Sequence, residues 1–81
     1  MYIRSQEKDI LCECTEVWIE QDEDNCNCHQ IVNDDWILGE YSTKEKALKA
    51  LDMLEKHLEY LENKVGGRKI VFQMPQERDV F

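Results

Sequence analysis

The chain has 81 residues, 18 of them acidic and 10 basic, for a formal net charge of −8 at neutral pH. That length allows one small domain, and a hydrophobic share of 42% is that of a folding chain, which excludes wholesale disorder. Between residues 9 and 43 there are ten acids and no Lys or Arg, which argues against nucleic acid as a direct ligand, because phosphate contacts need cations.

The first residues, Met1-Tyr2-Ile3-Arg4-Ser5-Gln6, lack the apolar stretch of a signal peptide. The longest apolar runs, such as Val17-Trp18-Ile19 and Trp36-Ile37-Leu38, reach three residues, whereas a membrane span needs about 20. A cytoplasmic protein with no membrane role is expected, with its four cysteines as reduced thiols.

Residues 9–20 are rich in Ile, Cys, Val, Thr and Trp and predict a first strand. The apolar triplet Val17-Trp18-Ile19 breaks the alternation and suggests a bulge or burial on both faces. Residues 21–25 read as a turn. A second strand is expected over 26–32, a turn at Asn33-Asp34-Asp35, and a third strand over 36–41. Ser42 with Glu45 three residues on has the form of a capping box. The helix it opens runs over about residues 43–64 without Gly or Pro, and Gly66-Gly67 supplies its stop. A last strand over 69–74 ends at Pro75, which leaves residues 1–75 as one domain and 76–81 as a loose tail.

These elements predict an α+β fold: an antiparallel three-stranded meander, one long helix packed on the sheet, then a C-terminal strand. Trp18, Ile19, Trp36, Ile37, Leu38, Val71 and Phe72 are the expected sheet contribution to the core. On the helix, Ala47, Leu51, Leu54, Leu58, Leu61 and Val65 recur at spacings of four and three and make the seam that meets the sheet. A second row, Ala50, Met53, His57 and Tyr60, widens the apolar arc beyond what one small sheet covers. It is the expected surface of self-association, with a second copy as the economical occupant.

The cysteines fall in two pairs, Cys12-x-Cys14 and Cys26-x-Cys28-His29. On an extended strand, residues i and i+2 share a face but stand about 6.5–7 Å apart, too far to share one zinc ion. The turn-forming C-x-x-C arrangement is absent. Burial as small hydrophobes is the favoured reading. A zinc module using Cys12, Cys14, Cys26 and Cys28, or a redox role, is the alternative, and no cofactor is otherwise expected.

Nothing marks a catalytic centre. Ser5 and Ser42 lie near a terminus and at a cap. Gly66-Gly67-Arg68 lacks phosphate-loop spacing, and the acidic turns lack the spacing and glycine of an EF-hand. A non-enzymatic binding role follows, with Glu16, Glu20, Asp22, Glu23, Asp24, Asp34 and Asp35 as a docking face for a protein with a basic surface. The alternative is a homo-oligomer that encloses a nucleotide-derived signalling molecule, held by Arg4, Arg68 and Lys69.

Three segments carry a resemblance: Ile3-Arg4-Ser5-Gln6-Glu7-Lys8, the stretch Ile37-Leu38-Gly39-Glu40-Tyr41-Ser42-Thr43-Lys44-Glu45-Lys46-Ala47-Leu48, and Val71-Phe72-Gln73-Met74-Pro75. With these the chain resembles a group of small uncharacterised proteins of Gram-positive bacteria, their phages and mobile elements. The resemblance implies an accessory protein of a mobile element rather than a housekeeping enzyme, and the expected target of its binding role is a host protein such as an antiviral-defence component. It transfers no catalytic residue and no metal role. Gly39, Ser42 and Pro75, inside these segments, read as fold signals: a bend, a cap and a strand terminator.

Overall fold

The structure, a computed structural model, describes residues 2–25, 27–63 and 71–80. Eight elements follow in order: β1 (Tyr2–Arg4), β2 (Leu11–Glu13), β3 (Trp18–Gln21), β4 (His29–Val32), β5 (Ile37–Tyr41), α1 (Lys44–Asn63), β6 (Val71–Gln73) and a 3-10 turn (Glu77–Asp79). They form an α+β fold with two three-stranded sheets, ordered β2-β1-β6 and β3-β4-β5. The second is the expected antiparallel meander. In the first, β1 runs antiparallel to β2 and parallel to β6, so Ile3 stands between Cys12 and Phe72.

The single strand expected over residues 9–20 is in fact two strands of different sheets. β2 ends at Glu13, β3 begins at Trp18, and the chain crosses between sheets in the residues between. What reads as a bulge at Val17-Trp18-Ile19 is the entry into the second sheet. Local composition is strand-like throughout, and only the change of pairing partner separates the halves. β1 escapes a sequence reading because it has three residues, yet it is the central strand of its sheet.

Ile3, Cys14, Ile31, Leu38, Tyr41, Ala47, Ala50, Leu54, Met74 and Val80 form the core, with Cys12, Val17, Ile19, Leu51 and Phe72 packed against it. Four expected contributors lie outside: Trp36 is 49% exposed, Ile37 48% and Val71 43%, and Trp18 is half-buried on the outer side of the second sheet. For Trp36 and Ile37 the reason is a register shift between β4 and β5. Ile31 pairs with Gly39 and Val32 with Ile37, which leaves Leu38 as the extra residue of a bulge. Leu38 turns into the core, and its apolar neighbours before it turn out.

The helix is capped one residue later than the Ser42–Glu45 pattern suggests. Thr43 Oγ1 accepts from the Lys46 amide at 3.1 Å, and the Thr43 carbonyl from the Ala47 amide at 3.2 Å. Ala47 and Ala50 are fully buried and Leu54 nearly so, and the helix lies against β4 and β5. Ala50, expected on a self-association surface, is therefore part of the monomer's own core. Small side chains there let the helix approach the sheet closely. Leu58, expected in the seam, is 37% exposed. Leu61, Val65, Gly66 and Gly67 lie outside the described side chains.

The expected loose tail is packed. Val80 is 3% exposed. The Gln76 side chain donates to the Gln6 carbonyl at 2.6 Å. The Glu77 carboxylate accepts from the Ser42 amide and pairs with Lys46 at 3.9 Å. Gly39 serves close packing more than bending: a Cβ there would stand 3.1 Å from the Tyr41 ring and hydroxyl. Burial pushes the Tyr41 phenol well above its ordinary pKa, and its hydroxyl donates to the Pro75 carbonyl at 2.7 Å.

Candidate functional site

Strand alternation places Trp18 and Glu20 of β3, Gln30 and Val32 of β4, and Ile37 and Glu40 of β5 on one face of the meander. Ile31 and Tyr41 occupy the opposite face, in the core. Across the outer face Glu20, Gln30 and Glu40 are register neighbours. Trp18 Nε1 donates to Glu20 Oε1 at 2.9 Å, and Gln30 Nε2 donates to Glu40 Oε1 at 3.4 Å.

The two turns of the meander extend this face with more carboxylates. In the β3–β4 turn the Asp22 carboxylate accepts from the Asp24 amide at 2.9 Å. In the β4–β5 turn Asn33 Oδ1 accepts from the Asp35 amide at 3.0 Å and the Trp36 amide at 2.7 Å. Asn and Asp side chains mimic backbone acceptors in this way. The acids between and beside them thus sit next to hydrogen-bonded turn residues.

Glu20 and Gln30 are shared by two shallow depressions. One is completed by Gln21, Asp22, Glu23 and Asp24. The other holds about 350 Å³ and is completed by Trp18, Val32, Asn33, Asp34, Asp35, Trp36 and Ile37. No Lys or Arg lines either depression among the described residues. Six of the seven acids singled out in the sequence thus border one continuous surface. Glu16 borders a neighbouring apolar groove of about 450 Å³ with Val17, Leu51, Leu54 and Leu58, and Trp18 is common to both.

Trp36, Glu40 and Gln30 were not singled out as site residues. Trp36 carries a signal in retrospect: it follows Asp34-Asp35 at a turn, where an indole is at risk of exposure. Glu40 and Gln30 carry none, because their membership depends on register.

The cysteines behave differently from a flat strand. Cys12 Sγ and Cys14 Sγ stand 3.0 Å apart, less than half the spacing expected of strand residues i and i+2. The paired residues of β2 end at Glu13, so Cys14 lies just beyond the ladder. Asn33 Nδ2 donates to Cys14 Sγ at 3.2 Å and lies 3.7 Å from Cys12 Sγ. Burial and the adjacent Cys14 thiol push the Cys12 thiol up to about 12. Cys14 is a core residue and Cys12 packs against the core. Cys28 precedes β4, and burial with the Glu40 and Asp22 charges raises its thiol pKa. Cys26 lies outside the described residues. Among the described residues, no three His, Cys, Asp or Glu side chains converge as metal ligands.

Of the expected ligand cations, Arg4 is exposed and its Nε donates to the Lys8 carbonyl at 3.1 Å. Arg68 and Lys69 lie outside the described residues. On the helix flank, Met53 is 40% and Tyr60 53% exposed, while the His57 ring stacks at a tilt 5.2 Å from Phe72. No described helix is long and apolar enough to cross a membrane. No family model matches the chain, and no curated protein or solved structure matches it either.

Proposed function

We propose that this protein is a non-enzymatic binding protein that docks the outer face of its meander onto a protein with a basic surface. The observation that carries this reading is Trp36, half exposed, in a depression bordered by Glu20, Asp34 and Asp35 with no Lys or Arg lining it among the described residues. An arginine side chain suits it: the guanidinium stacks on an indole for about 0.5–2 kcal/mol and pairs with carboxylates at its edge. Tryptophan is also a frequent energetic centre of protein interfaces. The surrounding negative field speeds encounter with such a partner. The resemblance to mobile-element proteins suits an accessory protein aimed at a host protein, with an antiviral-defence component as one such target.

Titration with a synthetic arginine-rich peptide, followed through tryptophan emission, tests the reading. Saturable binding is expected, and it weakens with added salt. Trp36→Ala weakens it about 2- to 30-fold, the cation–π contribution converted to affinity. Combined Glu20→Gln, Asp34→Asn and Asp35→Asn removes most of it. Equal binding of a citrulline analogue of the peptide refutes the reading.

Self-association is proposed as well, through the helix flank bearing Met53 and Tyr60, since both are large and exposed. Sedimentation showing only monomer at high micromolar concentration removes it.

A further inference from the structure

We propose that Cys12 and Cys14 are a dithiol redox site that closes to an intrachain disulfide on meeting a low-molecular-weight disulfide. The two sulfurs, 3.0 Å apart, need to approach by only about 1 Å to reach the ordinary bond length of about 2.05 Å. The pairing is held by the fold, since Cys14 lies just beyond the last paired residue of β2 and the Asn33 amide reaches both sulfurs. Cys28 is not part of this constellation.

The two thiols have different access. Cys12 is partly exposed and Cys14 is 4% exposed. The Cys12 thiolate therefore attacks one sulfur of the external disulfide. That S–S bond breaks, and the departing thiolate takes up the proton Cys12 gave. Cys14, as thiolate, then attacks Cys12 Sγ. The new S–S bond forms, and the second external thiolate leaves with the Cys14 proton. The protein loses two electrons and two protons, and the external disulfide becomes two thiols. Burial and the Cys14 thiol raise the Cys12 thiol and Asp35 adds to this, while the Asn33 amide opposes them. Thiolate is scarce at neutral pH, so closure accelerates about tenfold per pH unit on the alkaline side.

The test uses the reduced chain with oxidised glutathione, an acid quench and alkylation of remaining thiols. Glu13 lies between the two cysteines, so a Glu-specific protease separates them unless a disulfide joins the fragments. The expected product carries neither alkyl group nor glutathione on Cys12 and Cys14, and yields their two fragments joined, two hydrogens lighter than the pair of free thiols. Cys14→Ser is expected to stop at the mixed disulfide. Full alkylation of both thiols, accumulation of a wild-type glutathione adduct mapped to Cys12 or Cys14, or a bond from either of them to Cys28 overturns the proposal. The wild-type map decides the question even where Cys14→Ser does not fold.

Discussion

Replacing Val80 with alanine separates a packed C-terminus from a free one. Val80 is 3% exposed and belongs to the same core as Ile3, Tyr41 and Leu54. The substitution removes two methyl groups, about 0.8 kcal/mol each by transfer, and leaves a cavity that adds to the loss. The expected cost is about 2–3 kcal/mol. A chain of this length holds roughly 4–12 kcal/mol of net stability, so that cost is a large fraction of the total. Urea unfolding is the assay: the midpoint falls while the slope, which reports the surface exposed on unfolding, stays unchanged. Val71→Ala, at a position 43% exposed on β6, is the control and costs about 1 kcal/mol or less. A Val80→Ala loss within about 0.5 kcal/mol of zero, the range of ordinary surface substitutions, would show that residues 76–80 do not complete the core.

Gly39→Ala tests the packing of Tyr41. The new Cβ meets a ring at 3.1 Å that is buried and tethered through its hydroxyl to the Pro75 carbonyl, so a destabilisation of about 1–3 kcal/mol is expected in the same urea assay. A neutral outcome would mean that the ring gives way freely. Glu77→Gln tests the tether between the C-terminal turn and the helix start. Hydrogen bonds from Ser42, aided by the Lys46 charge, hold the Glu77 carboxyl below its usual range. With the folded pKa depressed, the stabilisation is present above the unfolded value of about 4.3 and disappears as pH falls through the folded one. Thermal midpoints of wild type and Glu77→Gln should therefore differ at neutral pH and converge in acid. A difference independent of pH contradicts the assignment.

Much of the fold is legible along the chain because it is written in local signals. The meander shows in turn residues set between apolar runs, the helix in its Gly- and Pro-free periodicity, and the last strand in the apolar residues before Pro75. The acidic character of the candidate site is equally legible, since a block of ten acids without a base is a matter of composition. The misreadings share one cause. The division of residues 9–20 between two sheets, the central place of β1 and the packing of Val80 all depend on partners distant in sequence. Ala50 looks like one of a surface row, and only the position of β4 and β5 against the helix makes it core.

Composition and periodicity alone determined that this is a small α+β chain with a strongly acidic segment. Tertiary structure decided which acids lie together: Glu20 and Glu40 align on either side of Gln30 through strand register, and a one-residue bulge turns Leu38 inward and leaves Ile37 outside. It also brought Cys12 and Cys14 to 3.0 Å beneath Asn33. Register, bulges and sheet crossings are set by hydrogen bonds between remote residues, and no local propensity encodes them.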